Sequence, residues 1–208
     1  MSKYRAILFD FHDTLAHIID LHELTERTKK ILGEQRFGVV QKHFVDWHTN
    51  NTPQQDVLEN IVSEISANED EEKIIKNFIA PKTYEIFPET KNVLFTLKES
   101  GFLLGLVSNT PSWTKKIIKE LDLEKYFDTL VFSTDVGVLK PHKDIFLQAT
   151  TTLGIAPQDG VMVGDSIEKD VVGAINAGLH GILLDRSGTV DYPNKITNLN
   201  ELLAMVSL

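Results

Sequence analysis

The first fifteen residues constrain this chain more than any other stretch. Residues 4–9 form a nearly continuous apolar run, which is typical of a β-strand buried on both faces. The run ends at Asp10, and His12, Asp13 and Thr14 follow directly. In an open α/β sheet, ligands bind beyond the carboxyl ends of the parallel strands. The pattern therefore predicts a buried strand that delivers Asp10 to a ligand site, although an isolated Asp here is also typical of a turn.

The rest of the chain divides into two patterns. Residues 16–85 carry four amphipathic helical patterns in succession, and we interpret this segment as a helical insertion. From residue 86 onward, apolar strand-like runs alternate with helical patterns. Such alternation predicts an α/β fold with a parallel sheet, right-handed crossovers and helices on both faces. We therefore predict a discontinuous core domain made of residues 1–15 and 86–208, interrupted by a helical domain at residues 16–85.

Composition excludes several classes of function. The formal net charge of −9 argues against a nucleic-acid groove, because such grooves need clustered Lys and Arg. The chain has no cysteine, which excludes disulfides, thiolate catalysis and Cys-ligated metals. No apolar run approaches the roughly 18 residues of a membrane-spanning helix, and no signal-peptide pattern precedes the first strand. We expect a cytoplasmic protein without nucleic-acid or membrane partners, and the sequence is compatible with a monomer or a homodimer.

Polar residues recur at the ends of other predicted strands. Ser108 and Asn109 follow one apolar run, and Asp165 follows another. Neighbouring parallel strands end at the same edge of a sheet, so we expect these side chains to meet Asp10 in a single crevice. Each of them alone is equally typical of a helix cap.

These residue types suit a divalent cation and phosphoryl transfer. Asp10, Asp165 and the nearby Asp170 offer oxygen ligands only, which favours Mg²⁺. Lys140 precedes a proline, which favours extended geometry and would let the side chain reach the crevice. In phosphoryl transfer to a carboxylate, Asp10 would attack phosphorus, while Mg²⁺, Lys140 and Ser108 would neutralise the phosphoryl oxygens. A solvated surface position is the ordinary alternative for both Asp170 and Lys140.

Four segments of the chain, in this order, resemble the motifs of the haloacid dehalogenase superfamily, which consists mostly of Mg²⁺-dependent phosphatases. These segments are residues 8–15, 106–110, 139–146 and 163–171. The resemblance covers nearly the whole chain. It implies a Rossmann-like α/β/α core of three layers, in which residues 16–85 stand where the family inserts a mobile helical cap.

The resemblance also implies roles for individual residues. Asp10 would be the nucleophile and a ligand of the metal ion. Asp165 and Asp170 would belong to the Mg²⁺ site, together with the backbone carbonyl of His12. Three further residues would bind the phosphoryl group: Ser108, Asn109 and Lys140.

This chain departs from the family at residue 12. The family's phosphatases usually carry an Asp there, which protonates the leaving group and later activates water, whereas this chain has His12 followed by Asp13. An imidazole can serve as general acid and base near neutral pH, so we expect His12 to take this role. The alternative is that Asp13 rotates into this role, but Asp13 lies one residue beyond the family's acid/base position. Asp also tolerates the left-handed backbone that the family's usual glycine at position 13 would supply.

Two rival functions are compatible with the same motifs. Haloacid dehalogenases direct the same nucleophile at carbon and lack the acid at residue 12, but they need no Mg²⁺, whereas Asp165 and Asp170 keep the metal-dependent pattern. A regulatory or binding protein with impaired catalysis is the second rival. The resemblance to the family implies a small phosphorylated substrate, such as a sugar phosphate or phosphoglycolate. Four residues are candidates to line the cap, each equally compatible with packing or surface: His17, His22, Trp47 and His48.

Overall fold

The structure is a computed structural model that describes residues 3–50, 52–111 and 113–206. Its strands are β1 (Ala6–Phe9), β2 (Ala16–Ile18), β3 (Tyr84–Ile86), β4 (Leu103–Ser108), β5 (Thr129–Phe132), β6 (Gly160–Gly164), β7 (His180–Leu184) and β8 (Lys195–Ile196). Its α-helices are α1 (Leu21–Leu32), α2 (Glu34–Thr49), α3 (Gln54–Ile65), α4 (Glu69–Ile79), α5 (Thr90–Glu99), α6 (Thr114–Glu120), α7 (Ser133–Val136), α8 (Lys143–Leu153), α9 (Gly173–Asn176) and α10 (Leu199–Val206). A short π-helix occupies Ile167–Val172.

Six strands form one sheet in the order β5-β4-β1-β6-β7-β8. Every pairing within it is parallel. The chain leaves β1 towards β4 on one side and leaves β6 towards β7 on the other, so the strand order reverses between β1 and β6. Such a reversal opens a crevice at the carboxyl ends of the two strands. The predicted parallel α/β sheet is confirmed, and Asp10 and Asp165 follow the two strands that border this crevice.

Alternation along β1 explains the three layers. Ile7 and Phe9 pack in one apolar cluster with residues of α5, α6 and α10. Leu8, between them, packs on the opposite face with residues of α8 and α9. All three side chains are fully buried, because a strand covered by helices on both faces has no solvent side. The sheet therefore lies between two helical layers, as the sequence predicts.

Helices α1 to α4 have an apolar core of their own. It is formed by buried residues of these four helices: Leu32, Phe37, Val40, Trp47, Val57, Leu58, Ile61, Ile75, Phe78 and Ile79. The antiparallel pair of β2 and β3 lies at the two ends of this helical segment. A second link joins α2 to α7, because the Ser133 hydroxyl of α7 donates to the His48 carbonyl of α2 at 2.5 Å. Among the helices of the described residues, none has the length and apolar character needed to cross a bilayer.

Local details differ from the sequence-based expectations. The pair of β2 and β3 was not expected, because strands of three residues are too short to show a pattern. The sequence places Thr110 and Pro111 at the start of a helix, but α6 begins only at Thr114. The Thr110 N–H donates instead to the Ser133 hydroxyl at 2.9 Å, and its own hydroxyl donates to that of Thr114 at 2.5 Å. These two hydrogen bonds hold Thr110 outside the helix.

We expect Gly181→Ala to destabilise the protein because β7 approaches the π-helix closely. A Cβ at Gly181 would lie 2.7 Å from Val171 Cγ1 and 2.9 Å from the Val171 carbonyl oxygen. Overpacking of this kind costs about 1–3 kcal/mol of unfolding free energy, measurable by urea denaturation. Gly38→Ala is the control, since a Cβ there meets no heavy atom within 4 Å, and it should stabilise α2 by about 0.5–1 kcal/mol. Equal stabilities for Gly181→Ala and the parent protein would contradict this close approach.

Candidate active site

The ends of three adjacent strands supply the floor of the site. Asp10 follows β1, Ser108 ends β4, and Asp165 follows β6. The Asp10 N–H donates to the Val163 carbonyl at 3.0 Å, which extends the pairing of β1 with β6 by one residue. Strand pairing thus fixes the backbone that carries the Asp10 carboxylate.

Lys140 joins Asp10 to Asp170. Its Nζ lies 2.6 Å from Asp10 Oδ1 and 2.6 Å from Asp170 Oδ1, and all three side chains are at most 9% exposed. Burial by itself would lower the pKa of Lys140, but the attraction and hydrogen bonds of the two carboxylates raise it. Lys140 therefore carries a positive charge inside the site, where an anion could approach it.

Three carboxylates crowd this floor. Asp10, Asp165 and Asp170 each offer an oxygen atom, and these atoms lie within 4.8 Å of one another. Partial desolvation, together with the negative charges of Asp10 and Asp170, raises the pKa of Asp165 to about 7. Burial and the charge of Asp10 raise the pKa of Asp170, although Lys140 opposes this shift. One ammonium group does not balance three carboxylates, so a set of oxygen donors with excess negative charge fits a hard divalent cation such as Mg²⁺.

The two residues at the end of β4, Ser108 and Asn109, contribute differently to the site. The hydroxyl of Ser108 is fully buried and has no hydrogen-bond partner among the described residues. Asn109 lines the cavity, but its amide also bonds Lys140, accepting from the main-chain N–H at 2.7 Å and donating to the carbonyl at 3.0 Å. The Ser108 hydroxyl is thus unpaired but does not line the cavity described below, whereas Asn109 orients Lys140, a contact that the sequence did not predict.

His12 is hydrogen-bonded to strand β3, which pairs with β2. Its Nε2 lies 2.6 Å from the hydroxyl of Tyr84 on β3. Burial and the charges of Lys140 and Lys169 lower the pKa of His12 to about 4, while burial raises the pKa of Tyr84. Both groups are therefore neutral at pH 7. Asp13 adopts a left-handed backbone, with φ of 53°, as expected for this position.

Arg186 holds the loop that follows β1, a function that sequence analysis missed. Its guanidinium donates to the carbonyls of Asp13 at 3.2 Å and Thr14 at 2.7 Å. It also pairs with Glu89 at 2.7 Å and lies 3.4 Å from the ring centroid of Phe87. The loop next to Asp10 is therefore fixed by a side chain that comes from beyond β7.

A cavity of about 430 Å³ lies above the floor and is lined by Asp10, His12, Asn109, Lys140, Asp165 and Asp170 from the core. Of the four cap candidates, only His48 lines this cavity. Trp47 is buried in the apolar core of α1 to α4 and donates to the Thr52 carbonyl. His17 packs on Phe87, and His22 is exposed. Cavity-lining residues that the sequence did not suggest include Tyr84, Lys82 and Trp113.

Comparison with known proteins identifies the family. A family model described as haloacid dehalogenase-like hydrolase matches residues 4–178. The chain belongs to the haloacid dehalogenase-like hydrolases. All four sequence segments that resemble the family's motifs lie within this match, so the resemblance is confirmed.

Two curated relatives of this hydrolase are named glyceraldehyde 3-phosphate phosphatase. The protein from Methanothermobacter thermautotrophicus is 39% identical over 102 residues, which cover 48% of this chain and 44% of the relative. The protein from Methanopyrus kandleri is 27% identical over 201 residues, which cover 88% and 84%. The alignment with the first relative thus spans less than half of that protein's length.

Solved structures share the whole fold. A structure described as a HAD phosphatase from Thermococcus onnurineus is 25% identical, with a TM-score of 0.71 and 97% of each chain covered. A 2-haloacid dehalogenase from Pseudomonas syringae pv. Tomato is 21% identical, with a TM-score of 0.72 and 98% of each chain covered. Proteins named for different reactions thus share this architecture, so the fold does not determine the reaction and the site residues do.

We expect Arg186→Met to lower the free energy of unfolding by about 1–3 kcal/mol, because it leaves two carbonyls and the Glu89 carboxylate without their donor. Urea denaturation measures this change. Arg5→Met is the matched control. The Arg5 side chain is 64% exposed and lies 3.9 Å from Asp159, so its loss should change stability by less than about 0.5 kcal/mol. Similar effects of the two substitutions would argue against the anchoring role of Arg186.

Proposed function

We propose that this hydrolase is a Mg²⁺-dependent phosphatase that acts on a small phosphorylated metabolite through an aspartyl-phosphate at Asp10. The observation that carries the proposal is the Asp10 carboxylate, which lies at the end of the central strand 2.6 Å from the Lys140 ammonium. The names of the relatives from Methanothermobacter and Methanopyrus support phosphomonoesters as the substrate class. We also propose that residues 16–85 act as the cap of a core formed by residues 1–15 and 86–208.

Asp10 is the nucleophile in this proposal. One of its oxygens forms a bond to phosphorus while the bond from phosphorus to the alcohol oxygen breaks, and the alcohol takes up a proton. The Lys140 ammonium and the Ser108 hydroxyl bind the phosphoryl oxygens. Water then attacks phosphorus and loses a proton, and the bond to Asp10 breaks to release phosphate and the free carboxylate. The buried Ser108 hydroxyl without a partner supports its role, since such groups usually have a partner.

The carboxylates of Asp10, Asp165 and Asp170, with the backbone carbonyl of His12, would hold Mg²⁺. Bound there, the ion supplies positive charge opposite the phosphoryl oxygens. The crowding of three carboxylate oxygens within 4.8 Å supports this assignment.

His12 takes the position of the family's acid/base residue. Its Nε2 lies 2.6 Å from the Tyr84 hydroxyl, and because its pKa is about 4 the neutral imidazole is suited to accept a proton from the attacking water. To protonate the alcohol, the ring must first take up a proton in the substrate complex, where the negative phosphoryl group favours the imidazolium. Asp13 is the less suitable group, because it is exposed and its backbone carbonyl is anchored by Arg186. The additional carboxylates of Asp165 and Asp170 argue against a dehalogenase, which needs no metal ion. A catalytically impaired family member would keep these carboxylates, and absence of turnover distinguishes it from a phosphatase.

We expect Mg²⁺-dependent release of phosphate from small phosphomonoesters, with turnover lost both in chelator and in Asp10→Asn. The amide of Asn is a far weaker nucleophile than a carboxylate. Phosphate release over a panel of esters measures the activity, with Asp144→Asn as the control because its side chain is 57% exposed on α8. Turnover that survives both chelator and Asp10→Asn would contradict the proposal.

His12→Ala should reduce turnover of alkyl phosphates by about 10²–10⁴-fold, the usual contribution of a general acid–base group. The loss should be smaller for nitrophenyl phosphate, because nitrophenolate departs without a proton. Steady-state rates on both esters test this, with the exposed His22→Ala on α1 as the control. An equal loss on both esters would show that His12 does not protonate the leaving group. Unchanged rates would show that His12 takes no part in catalysis.

A further inference from the structure

The cavity above Asp10 has a polar floor and an apolar upper wall. The floor consists of the carboxylates and Lys140 described above. The wall comes from the β2–β3 strand pair, from α1, α2 and α4, and from the loop before α6. Its members share apolar or aromatic surface: Ile18, Leu21, Phe44, Phe78, Tyr84 and Trp113.

The aromatic side chains of the wall pack against one another. The ring centroids of Phe44 and His48 are 4.4 Å apart, and those of Phe44 and Phe78 are 5.9 Å apart. The rings of Tyr84 and Trp113 are 6.4 Å apart. These separations are typical of favourable aromatic packing. A ring entering the cavity would therefore meet aromatic faces that are already in place.

The cations of this cavity are poorly suited to a substrate carboxylate. Carboxylates are typically bound by the fork of an arginine, and no arginine lines the cavity in the part of the chain that the structure describes. Lys140 has two of its three N–H donors directed at aspartates, and the third is assigned to the phosphoryl group in the proposed reaction. Lys82 donates to the Asn77 carbonyl at 2.6 Å, and Lys169 is exposed at the rim. An acid or a polyhydroxylated sugar would find few partners on the wall.

Two nitrogen atoms of the wall residues are buried without a partner. Trp113 Nε1 and His48 Nε2 have no hydrogen-bond partner among the described residues, and both residues line the cavity. An indole N–H can only donate, whereas a neutral imidazole nitrogen donates or accepts according to its tautomer. Buried polar atoms are normally paired. Both atoms are shielded from the cavity, so they offer no bond to a ligand, and the wall presents apolar and aromatic contacts instead.

We propose that the alcohol released from the substrate is aromatic, so that its ring packs against the wall formed by Phe44, Phe78 and Tyr84. This inference rests on the proposed phosphatase function and names its substrate class. The cavity volume of about 430 Å³ falls in the range of pockets that enclose ring-containing ligands.

The test compares four primary-alcohol phosphates under identical conditions: phenethyl phosphate, pyridylethyl phosphate, glycerol phosphate and phosphoglycolate. Their departing groups are all primary alkoxides, so differences in kcat/KM report mainly how the wall receives each alcohol. We expect kcat/KM for both aromatic esters to exceed that for glycerol phosphate and phosphoglycolate by about tenfold or more.

Two substitutions in the wall make the test specific. Trp113→Leu removes an aromatic ring from the wall, so it should reduce the preference for the aromatic esters over glycerol phosphate. Val45→Arg adds a guanidinium to the wall at a residue that is 51% exposed, so it should raise kcat/KM for phosphoglycolate relative to phenethyl phosphate. Phe95→Leu is the control, because Phe95 is 55% exposed on α5 and does not line the cavity.

The outcomes separate this inference from the proposed function. Hydrolysis that depends on Asp10 but favours glycerol phosphate or phosphoglycolate would overturn the inference and leave the phosphatase function standing. Absence of hydrolysis for all esters would contradict the phosphatase function. In that event, titration calorimetry with the Asp10→Asn protein decides the ligand class. Tighter binding of the aromatic esters than of glycerol phosphate would support the inference, and equal or weaker binding would overturn it.

Discussion

The ammonium group of Lys140 is the charge on which the arrangement of the site depends. Its side chain is 2% exposed, and a charge buried to this degree is stable only when it is paired, because desolvating an unpaired ion costs several kcal/mol. The partners come from separate parts of the chain, Asp10 after β1 and Asp170 in the π-helix, and Asn109 holds the Lys140 main chain from the end of β4. Charge pairing thus brings together loops that strand pairing alone would leave independent.

The sheet and the floor could be predicted because they follow from short-range patterns. Ile7, Leu8 and Phe9 are apolar without interruption, as a strand covered on both faces requires, and the structure buries them on alternate faces. Polar residues after such runs must lie at one edge of the sheet. Asp10 and Asp165 follow such runs and lie together at this edge. Lys140 and Asp170 follow no such run, and the sequence is equally compatible with a surface position for both. The roles of these residues in chemistry remain proposals that the sequence and the geometry jointly support.

The contacts that shape the rest of the cavity could not be predicted, because they join side chains far apart in the sequence. Tyr84 reaches His12 across 72 residues, and neither residue belongs to a pattern that names the other. Arg186 binds main-chain carbonyls, which every residue carries, so no sequence signal marks its partners. The sequence suggested Trp47 and His48 equally, and only packing shows that Trp47 fills the apolar core of α1 to α4 while His48 lines the cavity.

The Ser133 hydroxyl connects α2 to the loop after β4, since it donates to the His48 carbonyl and accepts from the Thr110 N–H. One such hydrogen bond contributes about 0.5–1.5 kcal/mol net. In the proposed cap motion, lifting α2 away would break this bond, so it would decrease the population of open molecules by roughly a factor of two to ten, because 1.4 kcal/mol corresponds to a tenfold change in an equilibrium constant. A hydroxyl outside the reacting groups would thus favour the closed arrangement, in which a bound molecule is shielded from solvent.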